Sequence, residues 1–215
     1  KTCTLAPYDL SQGRVTGAGV THAVDLVAMS GGWTPTVHLT SHRGIKPTYR
    51  ADLCSFVPGG FDRGHFGAGS MMGTQTFTQA VQSGWDAAVQ AASDMGKPVA
   101  GSCPQAPVQA DVNLGFVAVG PMVSGKAGDK SFVDFQSDVS VDDIALAHLE
   151  GYQSVEHLKR YTTLGMGTDQ GKTSNLNALA IMAEKRRLDI QQVGTTTFRP
   201  PYTPARVLDA EVAAH

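Results

Sequence analysis

The sequence predicts an α/β lobe followed by a small all-α domain. An apolar run of strand length, residues 23–29, is followed at once by glycines, which is typical of a buried strand in a parallel or mixed sheet. Residues 75–94 predict a long amphipathic helix, because its apolar residues recur three and four positions apart. These residues are Phe77, Val81, Trp85, Ala88 and Ala92. Residues 140–187 carry the caps and glycine stops of three helices.

Composition narrows the class of protein. A chain of 215 residues with 41% hydrophobic residues can bury a core, and a net charge of -2 without basic runs argues against nucleic acid as a partner. The chain has no apolar run near 18 residues, so we expect no membrane span. The isolated Cys3, Cys54 and Cys103 argue against a disulfide framework and favour a reducing cytoplasm.

The first elements in chain order are short. Residues 2–5 and 14–16 are β-prone and flank the turn residues 11–13, which predicts a hairpin or meander. Further along, the small residues between His65 and Gln75 lead directly into the long helix. Such a turn either cradles a nucleotide at the helix N-terminus or permits close packing of a strand against the helix.

Residues 98–131 predict a linker, because Pro98, Pro104, Pro107 and Pro121 prevent any long helix. Residues 132–139 predict a short strand or an extended entry into the helical domain. Ser140 with Asp143 three residues later predicts a capping box for a helix that runs to residue 149. Two more helices are predicted at residues 155–163 and from 175 to about 187.

The loop between the last two predicted helices is rich in glycine and hydroxyl groups. It follows a stop at Gly165 and brings Lys172 to the start of the third helix, where backbone N–H groups favour anions. The alternatives are an ordinary connection between helices and an exposed ion pair between Asp169 and Lys172. The histidines are not spaced as metal ligands are, so we expect no metal site. We assign no residue as a catalytic acid, base or nucleophile.

Two runs carry a family resemblance. Residues 157–175 and 194–204 both resemble the alpha subunit of heterotetrameric sarcosine oxidases and related amine-oxidising flavoenzymes. The resemblance implies that residues 1–97 are the C-terminal part of a reductase-like FAD/NAD(P)-binding module, here truncated. It further implies a linker at 98–131, a three-helix domain at 132–193 and an extended linker at 194–215.

The resemblance implies a partial NAD site in the first lobe. The glycines after residue 29 are similar to the crossover between the two lobes of flavoprotein reductases, and Gly69-Ser70 stands where such reductases carry a Gly-Asp pair that binds FAD. This substitution argues against FAD and agrees with NAD. The implied NAD-binding residues are Gly32, Gly69, Ser70, Gly73, Thr74, Gln75 and Phe77. No Gly-x-Gly-x-x-Gly turn precedes Ala23, so we expect weak NAD binding by this chain alone.

The helical domain is similar to [2Fe-2S]-binding domains of related flavoproteins. Their cysteine positions correspond here to Asp134, Gln136, Asp169 and Ser174, and a cluster needs thiolates, so we expect a cluster-less copy. In the resembling oxidases FMN is attached covalently to the beta subunit at its interface with alpha. The implied FMN-binding residues are Thr168, Asp169, Gln170, Gly171, Lys172, Thr173 and Ser174.

The implied function is that of part of an oxidoreductase acting on CH-NH donors, which oxidatively demethylates sarcosine to glycine. FAD is expected on the beta subunit, with electrons passing to FMN and then to oxygen. The implied partners are beta, gamma and delta subunits of a cytoplasmic heterotetramer, and we expect the isolated chain to be inactive. The alternative is a non-catalytic scaffold or partner-binding subunit that keeps the fold without cofactors.

Overall fold

The computed structural model describes residues 1–12, 14–28, 33–106 and 130–198. These residues form two units, each with its own interior. The first unit contains residues 1–12, 14–28, 33, 130–167 and 171–193. The second unit contains residues 34–106, 168–170 and 194–198. The domain boundaries given by the family resemblance stay a prediction.

The first unit begins with two antiparallel strand pairs. Strand β1 (Thr2–Leu5) pairs with β4 (Val20–Ala23), and β2 (Tyr8–Asp9) pairs with β3 (Arg14–Val15). The Asp9 carboxylate accepts hydrogen bonds from the Ser11 amide at 2.8 Å and the Gln12 amide at 3.1 Å, which closes the turn between β2 and β3. A hairpin is present at the predicted turn, but its first strand is β2, whereas residues 2–5, which the sequence predicted to flank the turn, pair with β4.

The predicted strand at residues 23–29 is wrong for the part that the structure describes. Strand β4 ends at Ala23, residues 24–28 have no regular structure, and Leu26 is 83% exposed. Strand pairs among the described residues are all antiparallel and two-stranded, so no parallel sheet covers the run. An isolated two-stranded ribbon cannot bury both faces of an apolar segment. Met29 lies outside the described residues.

The rest of the first unit is helical. Two short strands come first, β7 (Phe132–Asp134) and β8 (Val139–Ser140). Four helices follow, α3 (Val141–Leu149), α4 (Val155–Thr162), α5 (Asn175–Arg186) and the short α6 (Ile190–Val193). The three predicted helices are therefore confirmed, with ends that shift by a residue or two. Their core is apolar and contains Ile144, Ala147, Leu158, Leu179 and Met182.

The capping box predicted for α3 is present. The Ser140 hydroxyl accepts from the Asp143 amide at 3.3 Å, and the Asp143 carboxylate accepts from the Ser140 amide at 2.8 Å. The reciprocal bonds satisfy N–H groups that a helix start otherwise leaves unpaired.

The second unit contains a ribbon, a short helix and a long helix. Helix α1 (His38–Ser41) precedes strands β5 (Thr48–Arg50) and β6 (Ser55–Val57), which pair antiparallel, and helix α2 spans Phe77–Asp94. The predicted long helix is confirmed, but none of its residues is buried. The apolar face of α2 is partly covered: Val81 and Trp85 are half-buried, whereas Phe77 is exposed.

Candidate functional site

The turn before α2 is built on two glycines in the left-handed region. Gly69 has φ 70° and donates its amide to the Ser83 hydroxyl at 2.9 Å, and Gly73 has φ 79°. A Cβ at Gly73 would lie 2.3 Å from a methyl carbon of Leu53. The glycine there is needed for close packing of the turn onto the residues between β5 and β6.

The start of α2 is capped by its own side chains. The Thr76 hydroxyl accepts from the Gln79 amide at 3.2 Å, and the Gln79 side-chain oxygen accepts from the Gln75 and Thr76 amides at 3.3 and 3.4 Å. These amides are occupied within the chain. By contrast, the Thr74 hydroxyl is buried and has no hydrogen-bond partner in the described part of the protein.

The remaining residues of the implied NAD site differ in exposure. Ser70 and Gln75 are exposed, and Phe77 is about half-exposed at the first position of α2. Gly32 lies outside the described residues. The turn from Gly69 to Gln75 thus brings most of the predicted NAD-binding residues together along one stretch of chain.

A cavity of about 560 Å³ opens beside the same helix within the second unit. Its lining includes the carboxylates Asp86 and Asp94 with Gln90 between them, all on α2, and it faces residues 61–67. Sequence reasoning missed these polar residues. Their spacing of four positions along one helix face was the available signal.

Two glycines of the loop that precedes α5 are tightly packed within the first unit. Gly165 has φ 65° and Gly171 has φ 75°. A Cβ at Gly171 would lie 2.3 Å from the Asn175 side-chain oxygen, and a Cβ at Gly165 would lie 2.6 Å from the same oxygen. Asn175 therefore packs against both glycines, and neither position has room for a side chain.

A buried carboxylate supports this loop. Asp134 is 1% exposed, and its Oδ1 accepts from the Gln136 amide at 2.9 Å and the Ser137 amide at 3.2 Å. Its Oδ2 accepts from the Gly165 amide at 2.7 Å and, at a longer 3.5 Å, from the Ser174 hydroxyl. Sequence reasoning placed Asp134 only at a cluster-ligand position and did not anticipate this role.

The residues of the implied FMN site fall into two groups. Within the first unit Lys172 and Thr173 are exposed, Gly171 is buried, and Ser174 is fully buried at 0% exposure. Within the second unit Thr168 is exposed, while Asp169 and Gln170 are half-buried. The Ser174 hydroxyl is directed at Asp134, so Ser174 supports the loop and leaves Lys172 and Thr173 as its exposed polar groups.

The chemistry of this helix start suits an anion. The first turn of α5 carries no acidic residue, and its N-cap Ser174 makes no capping hydrogen bond through its side chain. An exposed lysine beside such a helix start can neutralise a phosphate in line with the helix dipole. The positions that match cluster ligands are Asp134, Gln136, Asp169 and Ser174, which supply no thiolate, and the absence of a cluster stays a prediction.

Three further observations concern metal ligands, membrane spans and cysteines. Among residues 1–12, 14–28, 33–106 and 130–198, no group of histidine, cysteine and acidic side chains is arranged to hold a metal ion. Over the same ranges, the helices are too short or too polar to cross a bilayer. All three cysteines are unpaired thiols.

Comparisons with known proteins agree on one family. The family model described as "Sarcosine oxidase A3 domain" matches residues 128–214. The "Sarcosine oxidase subunit alpha" of Rhizobium meliloti (strain 1021) is 43% identical over 190 residues, which is 87% of this chain and 19% of the relative. The subunit of the same name from Corynebacterium sp. (strain U-96) is 36% identical over 202 residues, which is 91% of this chain and 21% of the relative.

The fold also has a relative among solved structures. The crystal structure of L-proline dehydrogenase from P. horikoshii matches with a TM-score of 0.60 at 17% identity, covering 92% of this chain and 41% of the other. This likeness concerns the fold alone. The chain spans 19–21% of the length of the curated relatives that it matches. The resemblance indicated by the sequence is confirmed: over most of its length this chain is similar to sarcosine oxidase alpha subunits, and residues 128–214 match the family model of their A3 domain.

Proposed function

We propose that this chain is part of the alpha subunit of a sarcosine-oxidase-type flavoenzyme, which oxidatively demethylates sarcosine to glycine. In that complex it contributes walls of an FMN site and an NAD site together with subunit contacts. The observation that carries the proposal is the exposed Lys172 next to the acid-free start of α5, inside the segment that matches the A3 domain.

Lys172 is the residue assigned to the FMN phosphate. An ammonium group binds phosphate as a point charge, and the exposed Thr173 adjoining it can donate a hydroxyl hydrogen bond. When bound, the flavins accept the electrons that are removed from the amine substrate. The loop residues of this chain hold and orient the FMN phosphate and take no part in proton transfer.

Thr74 is the residue assigned to NAD. Its buried hydroxyl has no partner in the described part of the chain, and an unpaired buried hydroxyl is costly unless a ligand or water completes it. The other predicted NAD-binding residues of this turn lie within five positions of Thr74 in the sequence, namely Gly69, Ser70, Gly73 and Gln75. A ribose or pyrophosphate oxygen of NAD supplies the missing partner.

The proposed setting is a cytoplasmic heterotetramer with beta, gamma and delta subunits, with FAD on the beta subunit. Exposed apolar side chains support extensive protein contacts, since Trp33 is 90% exposed and Leu149 is 82% exposed. The same exposure favours a second candidate, a scaffold subunit that binds partners without cofactors.

Co-expression of the full-length alpha subunit with its genomic neighbours tests the proposal. We expect a complex that contains NAD, FMN and FAD, oxidises sarcosine with release of formaldehyde, and loses NAD when Thr74 is replaced by valine. Thr78→Val, at an exposed position of α2, is the matched control and should keep its NAD. A colourless complex without sarcosine turnover contradicts the enzyme proposal and favours the scaffold.

A further inference from the structure

We propose that Asp134 is the positioning residue for the lysine loop, defined here as residues 165–174. This inference rests on the proposed function of Lys172 and adds a residue that does not touch the flavin. Asp134 lies at the end of β7, and the residues that it holds lie 31 and 40 positions further along the chain.

The contacts of Asp134 Oδ2 lie at the two ends of the lysine loop. The Gly165 amide donates at 2.7 Å at the start of the loop, and the Ser174 hydroxyl donates at 3.5 Å at its end, immediately before α5. One oxygen atom therefore ties both ends of the segment that carries Lys172. A loop whose ends are fixed has already lost the entropy of loop closure before any ligand arrives.

The other oxygen fixes the carboxylate itself. Oδ1 accepts from the amides of Gln136 and Ser137, so rotation of the carboxylate is restricted by the turn after β7. The group is 1% exposed, and its contacts are therefore not in competition with bulk water.

Packing transmits this order to the lysine. Asn175 contacts Gly165 and Gly171 so closely that a Cβ on either would approach its side chain within 2.6 Å. Gly171 immediately precedes Lys172. Because Asn175 is in close contact with both glycines, a displacement of Gly165 or of the start of α5 should also move the backbone beside Lys172.

Replacing Asp134 by asparagine tests the hydrogen bonds of the carboxylate without changing the size of the side chain. The hydrogen-bonding groups around both oxygens of Asp134 are donors, namely three amides and a hydroxyl. An ionised carboxylate accepts at both oxygens, whereas an asparagine amide must point its NH2 group at donors on one side. Asp134→Asn keeps the size and shape of the side chain and, in either orientation, breaks the contact with at least one backbone amide, because an amide N–H can only donate.

The test compares three variants in the full-length, co-expressed complex. In Asp134→Asn we expect amide exchange in residues 165–174 to accelerate by at least about tenfold, the loss expected when one charge-assisted hydrogen bond is broken. We also expect FMN occupancy and the visible flavin spectrum to change as they do in Lys172→Ala. Asp143→Asn is the matched control: it alters a capping carboxylate of α3 in the same unit, so it should leave the flavin spectrum unchanged and accelerate exchange in residues 165–174 less than Asp134→Asn does.

The outcomes separate this inference from the proposed function. Unchanged exchange in residues 165–174 overturns the positioning role of Asp134. Faster exchange with normal FMN in Asp134→Asn, when Lys172→Ala loses FMN, also overturns it but leaves the function of the loop intact. Normal FMN in Lys172→Ala contradicts the proposed function and the inference together. If Asp134→Asn does not fold, Ser174→Ala removes only the longest contact and should give a smaller change in the same direction.

Discussion

The Asp134 carboxylate accepts a hydrogen bond from the Gly165 amide at 2.7 Å, joining the end of β7 to the loop before α5. The bond lies in the helical unit, inside the segment that matches the Sarcosine oxidase A3 domain. It makes the order of the lysine loop depend on a residue far away in the sequence. The loop is thus held by the tertiary fold of the unit.

Gly171→Ala should destabilise the helical unit by about 2–4 kcal/mol. Its φ of 75° disfavours any Cβ by about 1–2 kcal/mol, and the added methyl group would collide with Asn175. Gly151→Ala is the matched control, because Gly151 has φ 94° and open space around it. Chemical denaturation should give a loss of only about 1–2 kcal/mol there. Equal losses in the two variants would show that packing against Asn175 is unimportant.

Leu158→Ala should cost about 2–5 kcal/mol of unfolding free energy, because Leu158 is 1% exposed in the helical core. Leu149→Ala makes the same chemical change at a position that is 82% exposed, and it should stay within about 0.5 kcal/mol of the wild type. Denaturation curves of both variants check the position of the core. A small loss for Leu158→Ala would contradict it.

Stability should depend on pH through Asp143. Hydrogen bonding to the Ser140 hydroxyl, and then to the Ser140 amide, lowers the pKa of the Asp143 carboxyl in the folded state. A lowered folded pKa gives stability that is present above the unfolded pKa of about 4 and is lost as pH falls through the folded value. Asp143→Asn should therefore be less stable than the wild type by about 0.3–1.5 kcal/mol near neutral pH.

Below about pH 4 that difference should shrink, because the wild-type carboxyl is then protonated as well. Denaturation of both proteins across this pH range measures the difference directly. A gap between wild type and Asp143→Asn that stays constant from neutral pH to about pH 2 would exclude the capping carboxylate as its source.

Thr76→Ala should loosen the first turn of α2, because the Thr76 hydroxyl caps the Gln79 amide. Loss of an N-cap costs about 1 kcal/mol, so amide exchange at the helix start should accelerate roughly fivefold. The control is Thr78→Ala, at an exposed position two residues further along the chain. It should slow exchange slightly or leave it unchanged, since alanine favours helix. Similar exchange in both variants would argue against the capping box.

Local sequence rules predicted the helices well. Ser140 with Asp143 predicted the start of α3, and Gly165 predicted a stop after α4, because capping and left-handed turns depend on neighbouring residues. Burial followed other rules. Residues 24–28 read as a buried strand but are irregular, since burial depends on partners that the local pattern does not contain.

The candidate site was predicted in the same uneven way. The position of Lys172 at the start of α5 followed from the loop composition. The burial of Ser174 and the contacts of Asp134 did not, because the hydrogen bonds that Asp134 accepts from Gly165 and Ser174 span 31 and 40 positions. Sequence patterns over a few residues carry no information on such pairs, and only the packed helical unit brings them together.

The most direct measurement of the central claim is the FMN content of the co-expressed complex, including flavin bound covalently to the beta subunit, in Lys172→Ala and Lys185→Ala. Lys185 is an exposed lysine on the last turn of the same helix, so it controls for loss of charge. We expect Lys172→Ala to reduce FMN content and FMN reduction by sarcosine by about tenfold or more, and Lys185→Ala to match the wild type. Full FMN content and unchanged reduction in Lys172→Ala would contradict the assignment of this loop to the flavin.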